Sequence, residues 1–124
     1  LNPDYIKTYN NRGIIYGELG QYQRAIEIFN TVIRQQPDYA YAYYNRGFAY
    51  ARLDQHEKAI DDFDRAISLK SDYMKAYYNR GIAYAKLGRY QQAIKDFQTV
   101  IRMRPDDENA RQALRLALEK QRRE

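Results

Sequence analysis

The chain has 124 residues, of which 44% are hydrophobic and 30% are charged, and its formal net charge is +5. This balance is typical of an ordered soluble protein and not of a disordered one. Cysteine is absent and histidine occurs once, which excludes disulfides and metal sites built from thiolates or paired histidines. No apolar run approaches the ~18 residues of a membrane span, and nothing in the sequence calls for a cofactor.

A short triplet, Asn-Arg-Gly, recurs along the chain. It ends at positions 13, 47 and 81, so its period is 34 residues. Self-similarity at such a period predicts an array of stacked units. Further columns with the same period are Tyr9, Tyr43 and Tyr77; Tyr16, Tyr50 and Tyr84; Leu19, Leu53 and Leu87; Ala25, Ala59 and Ala93; Ile26, Ile60 and Ile94; Phe29, Phe63 and Phe97; and Ile33, Ile67 and Ile101.

The chain opens with LNPDY at 1–5, which the period aligns with QQPDY at 35–39 and LKSDY at 69–73. We therefore expect 1–5 to be the closing turn of a preceding repeat. On this interpretation the chain is either an excised piece of a longer array or a protein whose bare N-terminal face packs on another copy.

Each unit is predicted to contain two helices. In the middle unit, Tyr43, Gly47 and Tyr50 recur at helical spacing, and Ala59 and Phe63 do so in the second helix. A glycine inside a helix costs roughly 1 kcal/mol relative to alanine. We therefore expect Gly47 and its equivalents to lie close to a large aromatic side chain of the facing helix.

Turn residues separate the predicted helices. Gly20 and Gly88 suit a left-handed C-terminal cap, whereas Asp54 adopts that conformation at a cost, so the middle turn is expected to be the most strained. Pro37 and Pro105 end the second helix of their units, because proline does not continue a helix.

The unit resembles the tetratricopeptide repeat, whose pattern runs aromatic, Gly, Tyr, Ala, aromatic, Ala, Pro. The resemblance covers nearly the whole chain and implies an all-α fold, a right-handed superhelical α-solenoid of stacked antiparallel helix pairs. It implies repeats over 6–39, 40–73 and 74–107. The matching positions are Tyr9, Gly13, Tyr16, Ala25, Phe29, Val32 and Pro37; Tyr43, Gly47, Tyr50, Ala59, Phe63, Ala66 and Ser71; and Tyr77, Gly81, Tyr84, Ala93, Phe97, Val100 and Pro105.

Residues 108–124 follow a different pattern and are expected to form a C-terminal capping helix. An apolar stripe lies among charged residues, as the polar-faced cap of a solenoid requires. The stripe consists of Ala110, Ala113, Leu114, Ala117 and Leu118.

Three arginines depart from the family pattern. Arg12, Arg46 and Arg80 stand where the family usually has an aliphatic residue. We expect their stems to pack while each guanidinium stacks on a tyrosine or pairs at the surface. The acidic pair Asp61-Asp62 is interpreted as helix-surface charge and not as a metal site.

Stacking of the kind that the family shows would align the first helices along a concave groove. This groove is predicted to be aromatic in its middle and basic around its edges, which suits a peptide with apolar side chains and acidic groups. From the first unit it would receive Lys7, Asn10, Ile14 and Glu18. The predicted peptide-binding residues are Tyr41, Tyr44, Asn45, Phe48, Arg52, Lys75, Tyr78, Asn79, Ile82 and Lys86.

The family's best-known site is a dicarboxylate clamp for the acidic C-termini of heat-shock chaperones. Five places in this chain correspond to it, and only Asn45 and Lys75 match the residue types that the clamp uses. The other three hold Asn10, Ile14 and Asn79. The resemblance therefore does not extend to that clamp.

The favoured hypothesis is a non-catalytic scaffold with a protein or peptide partner, and an acidic partner is among the candidates. The alternative is a self-associating module that forms homo-oligomers through its uncapped N-terminal face, with Asn2–Tyr9 and Ile28–Ile33 in the contact. Neither a nucleophile–base pair nor a phosphate-binding loop is present, so we expect no enzyme. The cations form no continuous basic stripe, so neither a nucleic-acid nor a membrane partner is expected. Absence of cysteine fits a cytoplasmic location, and a periplasmic location is the alternative.

Overall fold

The computed structural model describes residues 2–124, and within them the chain forms seven α-helices. Consecutive helices pack against each other, and the odd-numbered helices also contact one another along one side. This arrangement confirms the predicted all-α solenoid of stacked antiparallel helix pairs. The helices are α1 (Pro3–Glu18), α2 (Tyr22–Gln35), α3 (Ala40–Arg52), α4 (His56–Leu69), α5 (Met74–Lys86), α6 (Tyr90–Met103) and α7 (Glu108–Arg122).

The start of α1 differs from the closing turn expected over 1–5. Leu1 lies outside the described residues, but Pro3 already begins the helix. The Asn2 side chain accepts a hydrogen bond of 2.8 Å from the backbone N–H of Asp4. An asparagine N-cap followed by proline in the first turn starts a helix, which explains the difference.

The turns inside the three units have the backbone conformation that the sequence predicts. Gly20 has φ of 77° and Gly88 has φ of 75°, and Asp54 is in the same left-handed region with φ of 60°. A side chain is disfavoured there, so the predicted strain falls on the middle turn.

The core of each unit depends on a glycine that faces a phenylalanine. A methyl group built on Gly81 would lie 2.6 Å from Phe97 Cε1, and one on Gly47 would lie 2.9 Å from Phe63 Cε1. These phenylalanines are among the largest fully buried side chains. The predicted close approach of the two helices in each unit is therefore confirmed.

A buried arginine–aspartate pair joins the helices of the second unit. Arg46 donates two hydrogen bonds of 2.8 and 2.7 Å to Asp62, and a third of 2.9 Å to Asn30 of the preceding unit. Asp62 is only 4% exposed, so its interpretation as helix-surface charge was wrong. The interpretation failed because Asp61 points outwards whereas Asp62, one position on, faces the first helix.

The third unit repeats this arrangement. Arg80 donates bonds of 2.9 and 2.7 Å to Asp96 and one of 2.9 Å to Asp64 of the preceding unit. Burial raises the pKa of both Asp62 and Asp96, and the hydrogen bonds from the arginines oppose that shift. Each pair therefore links both helices of its own unit to the second helix of the unit before it.

Candidate functional site

The concave side of the solenoid has a rigid aromatic centre. The Tyr44 ring lies 5.8 Å from the Phe63 ring and 5.0 Å from the Tyr73 ring, between centroids. Its hydroxyl accepts a hydrogen bond of 2.9 Å from Asn79 Nδ2. Burial raises the pKa of Tyr44 to about 12, although the bond from Asn79 opposes the shift. These contacts hold Tyr44 in one position as a wall of the groove.

One cavity of about 240 Å³ lies between α1 and α3. It brings together three predicted binding residues, Tyr44, Asn45 and Phe48. Its lining is mostly apolar, and the helix α2 supplies its floor. From the first unit it is lined by Gly13, Ile14, Gly17, Glu18, Tyr22, Ala25 and Phe29.

A second cavity of about 620 Å³ continues the groove towards the start of α1. The two cavities share Ile14, Tyr44 and Asn45, so they are contiguous. Here the charge is largely basic, because three lysines face one aspartate, and Lys70 is bonded to that aspartate at 3.1 Å. The charged residues that line this cavity are Lys7, Lys70, Asp72 and Lys75.

A residue of the second cavity carries an unsatisfied polar atom. Asn10 lines it and is only 3% exposed. Among residues 2–124, Asn10 Oδ1 has no hydrogen-bond partner. A buried acceptor without a donor is unfavourable. The oxygen has almost no exposed surface, so the Asn10 side chain must turn towards the cavity before a ligand N–H group can bond it.

A third cavity of about 170 Å³ lies between α5 and the start of α7. It contains the predicted residues Lys75, Tyr78 and Asn79. The Tyr78 ring lies 5.8 Å from the ring of Phe97, and burial raises the pKa of Tyr78. Asn79 is occupied by the bond to Tyr44 and by a second bond of 3.0 Å to the Lys75 carbonyl.

Three predicted residues line none of these three cavities. Arg52 donates a hydrogen bond of 3.0 Å to the Tyr22 hydroxyl, which holds it at the end of the groove. Ile82 packs against the core cluster between α6 and α7. Lys86 is exposed in the last turn of α5.

The groove-lining residues that sequence reasoning missed include Gly17, Tyr22, Lys70 and Tyr73. Gly17 had a detectable signal, because its equivalents in the later units are Ala51 and Ala85. The other three lie outside the first helices, to which the prediction was confined.

The described part of the chain, residues 2–124, offers no cluster of three or more His, Cys, Asp or Glu side chains that could hold a metal ion. In the same residues, no helix combines the length and the apolar character needed to cross a membrane. The groove residues provide aromatic surface, amide groups and lysines.

Two tetratricopeptide-repeat sequence models match the chain, one over residues 10–73 and one over 75–107. The first alone spans more than half of the chain. The chain belongs to the tetratricopeptide repeat family. No curated protein matches the sequence.

Solved tetratricopeptide domains resemble the structure closely. The first TPR domain of Spaghetti (RPAP3), bound to the HSP90 peptide SRMEEVD, has a TM-score of 0.92 at 28% identity, with 96% of this chain and 94% of that chain covered. The second TPR domain of human RPAP3, in complex with the HSP70 peptide SGPTIEEVD, has a TM-score of 0.88 at 32% identity, with coverage of 94% and 98%. MamA has a TM-score of 0.89 at 32% identity, and the chain spans 65% of its length.

Proposed function

We propose that this chain is a non-catalytic interaction scaffold whose concave groove binds a peptide segment with apolar side chains and acidic groups. The observation that carries the proposal is the contiguity of the first two cavities. One is mostly apolar and the other is lined by Lys7, Lys70 and Lys75. Exposed aromatic surface beside cations is the composition that recognises such a segment.

Asn45 lies where the two cavities meet. Among residues 2–124, its side chain takes part in no hydrogen bond, whereas Asn79 in the same column is already bonded to Tyr44. Asn45 is therefore a groove amide that has both a donor and an acceptor to offer to a peptide backbone.

The RPAP3 domains, which resemble this chain, support a peptide ligand in general terms. Their bound peptides end in EEVD. In this chain the clamp places hold Asn10, Ile14 and Asn79, and Asn10 and Asn79 are half-buried or buried. We therefore propose a ligand that differs from these peptides, and expect SRMEEVD to bind weakly compared with a peptide selected on this chain.

Panning a displayed library of random peptides on the wild-type chain tests the proposal. Tyr41→Ala with Lys75→Glu is panned in parallel, because both side chains are exposed and their replacement leaves the core intact. Lys95→Glu, an equal charge reversal on α6, is the matched control. Peptides that are enriched on the wild type and the control but lost on the double variant are the expected result. Equal enrichment on all three proteins would refute groove binding.

A second candidate function, self-association through the N-terminal face, is favoured by the outer side of α1. Ile15 is 55% exposed there, whereas its equivalents Ala49 and Ala83 are 2% and 1% exposed. Tyr5 and Leu19 extend this exposed surface. The expected Ile28–Ile33 segment contributes little, since Ile28, Phe29 and Val32 are among the buried side chains of the unit.

Sedimentation velocity over a range of concentrations tests this second function. Self-association predicts a sedimentation coefficient that rises with concentration in the wild type and not in Ile15→Lys with Leu19→Lys. A concentration-independent monomer would contradict it, and would leave peptide binding as the proposed function.

A further inference from the structure

The first unit differs from the other two at the positions that fill the groove. Tyr44 and Tyr78 occupy one column, and each lies 5.8 Å from the phenylalanine of its own unit. The first unit has Asn10 in that column. An amide is much smaller than a phenol ring, so the groove side of Phe29 is left without the aromatic cover that the other units have.

A second difference enlarges the same space. Gly17 stands where the later units have alanine, and an added Cβ at Gly17 would meet no atom within 4 Å. Its backbone is ordinary helix, so turn geometry does not require glycine there. Helix stability favours alanine at such a position. The fold therefore does not require glycine at position 17. The open cavity that Gly17 lines accounts for it.

We propose that the cavity beside Gly17 is an anchor pocket for one aromatic or branched aliphatic side chain of the bound peptide. This inference rests on the proposed function and adds the register of the ligand. The cavity of about 240 Å³ exceeds the ~150 Å³ engineered cavity that holds a benzene molecule. Phe29 and Phe48 provide the apolar contacts that favour such a side chain.

The charges that line the two cavities determine on which side of the apolar anchor the peptide's acidic group lies. Glu18 lines the anchor pocket and repels an acid there, whereas Lys7, Lys70 and Lys75 line the neighbouring cavity. Gly17 and Lys7 are separated by about 15 Å along the axis of α1. An extended segment spans that distance in about four or five residues. The ligand is therefore an extended peptide with an apolar anchor and, about four or five residues away, an aspartate or glutamate.

The unsatisfied Asn10 oxygen supports an extended occupant. Asn10 lines the lysine-rich cavity through which the segment would pass. Its oxygen is buried and lacks a donor, so it gains one when the side chain turns towards the segment. A peptide backbone presents N–H groups along its whole length, whereas a bare anion presents none. An extended peptide therefore offers an acidic group to the lysines and an N–H group to an Asn10 side chain that turns towards it.

Filling the pocket tests the proposal. Gly17→Leu adds a side chain whose Cβ meets no atom within 4 Å, and it introduces a better helix former, so the variant is expected to fold at least as stably as the wild type. Ser68→Leu adds the same side chain at an exposed position of α4 and is the matched control. Both are panned with the random peptide library beside the wild type and Lys75→Glu, and circular dichroism confirms that each is folded.

The expected result has two parts. Peptides selected on the wild type and on Ser68→Leu share an apolar residue and an acid at the stated separation, and they bind Gly17→Leu at least tenfold more weakly. Peptides selected on Lys75→Glu keep the apolar residue and lose the acid.

Two other results distinguish a failure of the anchor pocket from a failure of the proposed function. If the selected peptides depend on Tyr41 and Lys75 but bind Gly17→Leu like the wild type, the anchor pocket is refuted and the groove remains the binding surface. If binding depends on none of these residues, both the pocket and the proposed function are refuted.

Discussion

The first unit and the two units that follow it have the same backbone plan but different surfaces. Between the two helices of the second and third units, Arg46 and Arg80 are each bonded to a buried aspartate. The position equivalent to these aspartates holds Ile28 in the first unit. On the concave side, Asn10 replaces the tyrosine that covers the core phenylalanine in the other two units. The repeat pattern therefore maintains the fold, and the departures from it create the candidate binding surface.

The largest expected effect comes from giving the second unit the residue of the first. Asp62→Ile leaves the half-buried Arg46 guanidinium without its carboxylate. Breaking a buried pair costs about 3 kcal/mol, and we expect the free energy of unfolding to fall by that amount. Urea unfolding followed by circular dichroism measures the loss.

The control for this prediction removes both charges. In Arg46→Leu with Asp62→Ile, apolar side chains replace the pair, which is often neutral for stability. We expect most of the lost stability to return. A double variant as unstable as Asp62→Ile would show that the aspartate stabilises the unit by something other than its bond to Arg46.

The next prediction compares the effect on stability of alanine at Gly81 and at Gly17. Gly81→Ala places a methyl group 2.6 Å from Phe97, and such overpacking is expected to lower the free energy of unfolding by about 1–3 kcal/mol. Gly17→Ala meets open space and is expected to raise it by about 0.5–1 kcal/mol. Equal effects at the two positions, measured by urea unfolding, would contradict the assignment of Gly17 to the groove.

Tyr44 makes the stability of the folded chain depend on pH. Asn10, the equivalent residue of the first unit, has no ionisable group and adds no such dependence. The pKa of Tyr44 is about 12 in the folded chain, against 10.0 ordinarily, so the folded state keeps a proton that the unfolded state loses. The stabilisation is complete below pH 10 and is lost as the pH rises towards 12. Between pH 9 and pH 11 we expect Tyr44→Phe to lose about 1 kcal/mol less stability than the wild type.

Urea unfolding at both pH values measures this difference, with Tyr5→Phe as a control that removes a hydroxyl from an exposed ring. If the wild type and Tyr44→Phe lose stability equally, burial of Tyr44 does not account for the alkaline behaviour.

The smallest expected effect is at Arg12. Its guanidinium lies 5.3 Å from the centre of the Tyr9 ring, and among residues 2–124 it forms no ion pair. Arg12→Ala should therefore change the free energy of unfolding by about 0.5 kcal/mol or less. Arg46→Ala, its counterpart in the second unit, should cost about 2–3 kcal/mol because it strands Asp62. Similar losses at both arginines would remove the distinction between the units.

Much of the fold could be predicted from the sequence, because a repeated feature is a strong signal. The glycine–phenylalanine contacts and the turns at Gly20 and Gly88 follow from residues that occur in fixed columns. The arginine–aspartate pairs also occupy fixed columns, but their partners are sixteen residues apart on two helices. To recognise these pairs, one must know how each helix is rotated about its axis, because that rotation turns Asp62 inwards and leaves Asp61 exposed.

The candidate site could be predicted less completely. Tyr44, Asn45 and Lys75 could be predicted because they are aromatic, amide or charged residues on the first helices. Gly17 contributes by lacking a side chain, and Ile82 was included although the C-terminal helix helps to cover it. The roles of Gly17 and Ile82 depend on how the side chains of neighbouring helices fill the groove. The repeated sequence pattern gives no information about that packing.

The central claim is that a peptide binds between the first two units, on the concave side. Nuclear magnetic resonance of the nitrogen-15-labelled chain, titrated with a peptide selected on the wild type, tests it most directly. We predict that the amide signals that shift cluster at Lys7–Glu18, Tyr41–Arg52 and Lys70–Lys75, with Gly17, Asn45 and Phe48 among the largest changes. Shifts confined to α6 and α7, or to Tyr5, Ile15 and Leu19 on the outer side, would contradict it.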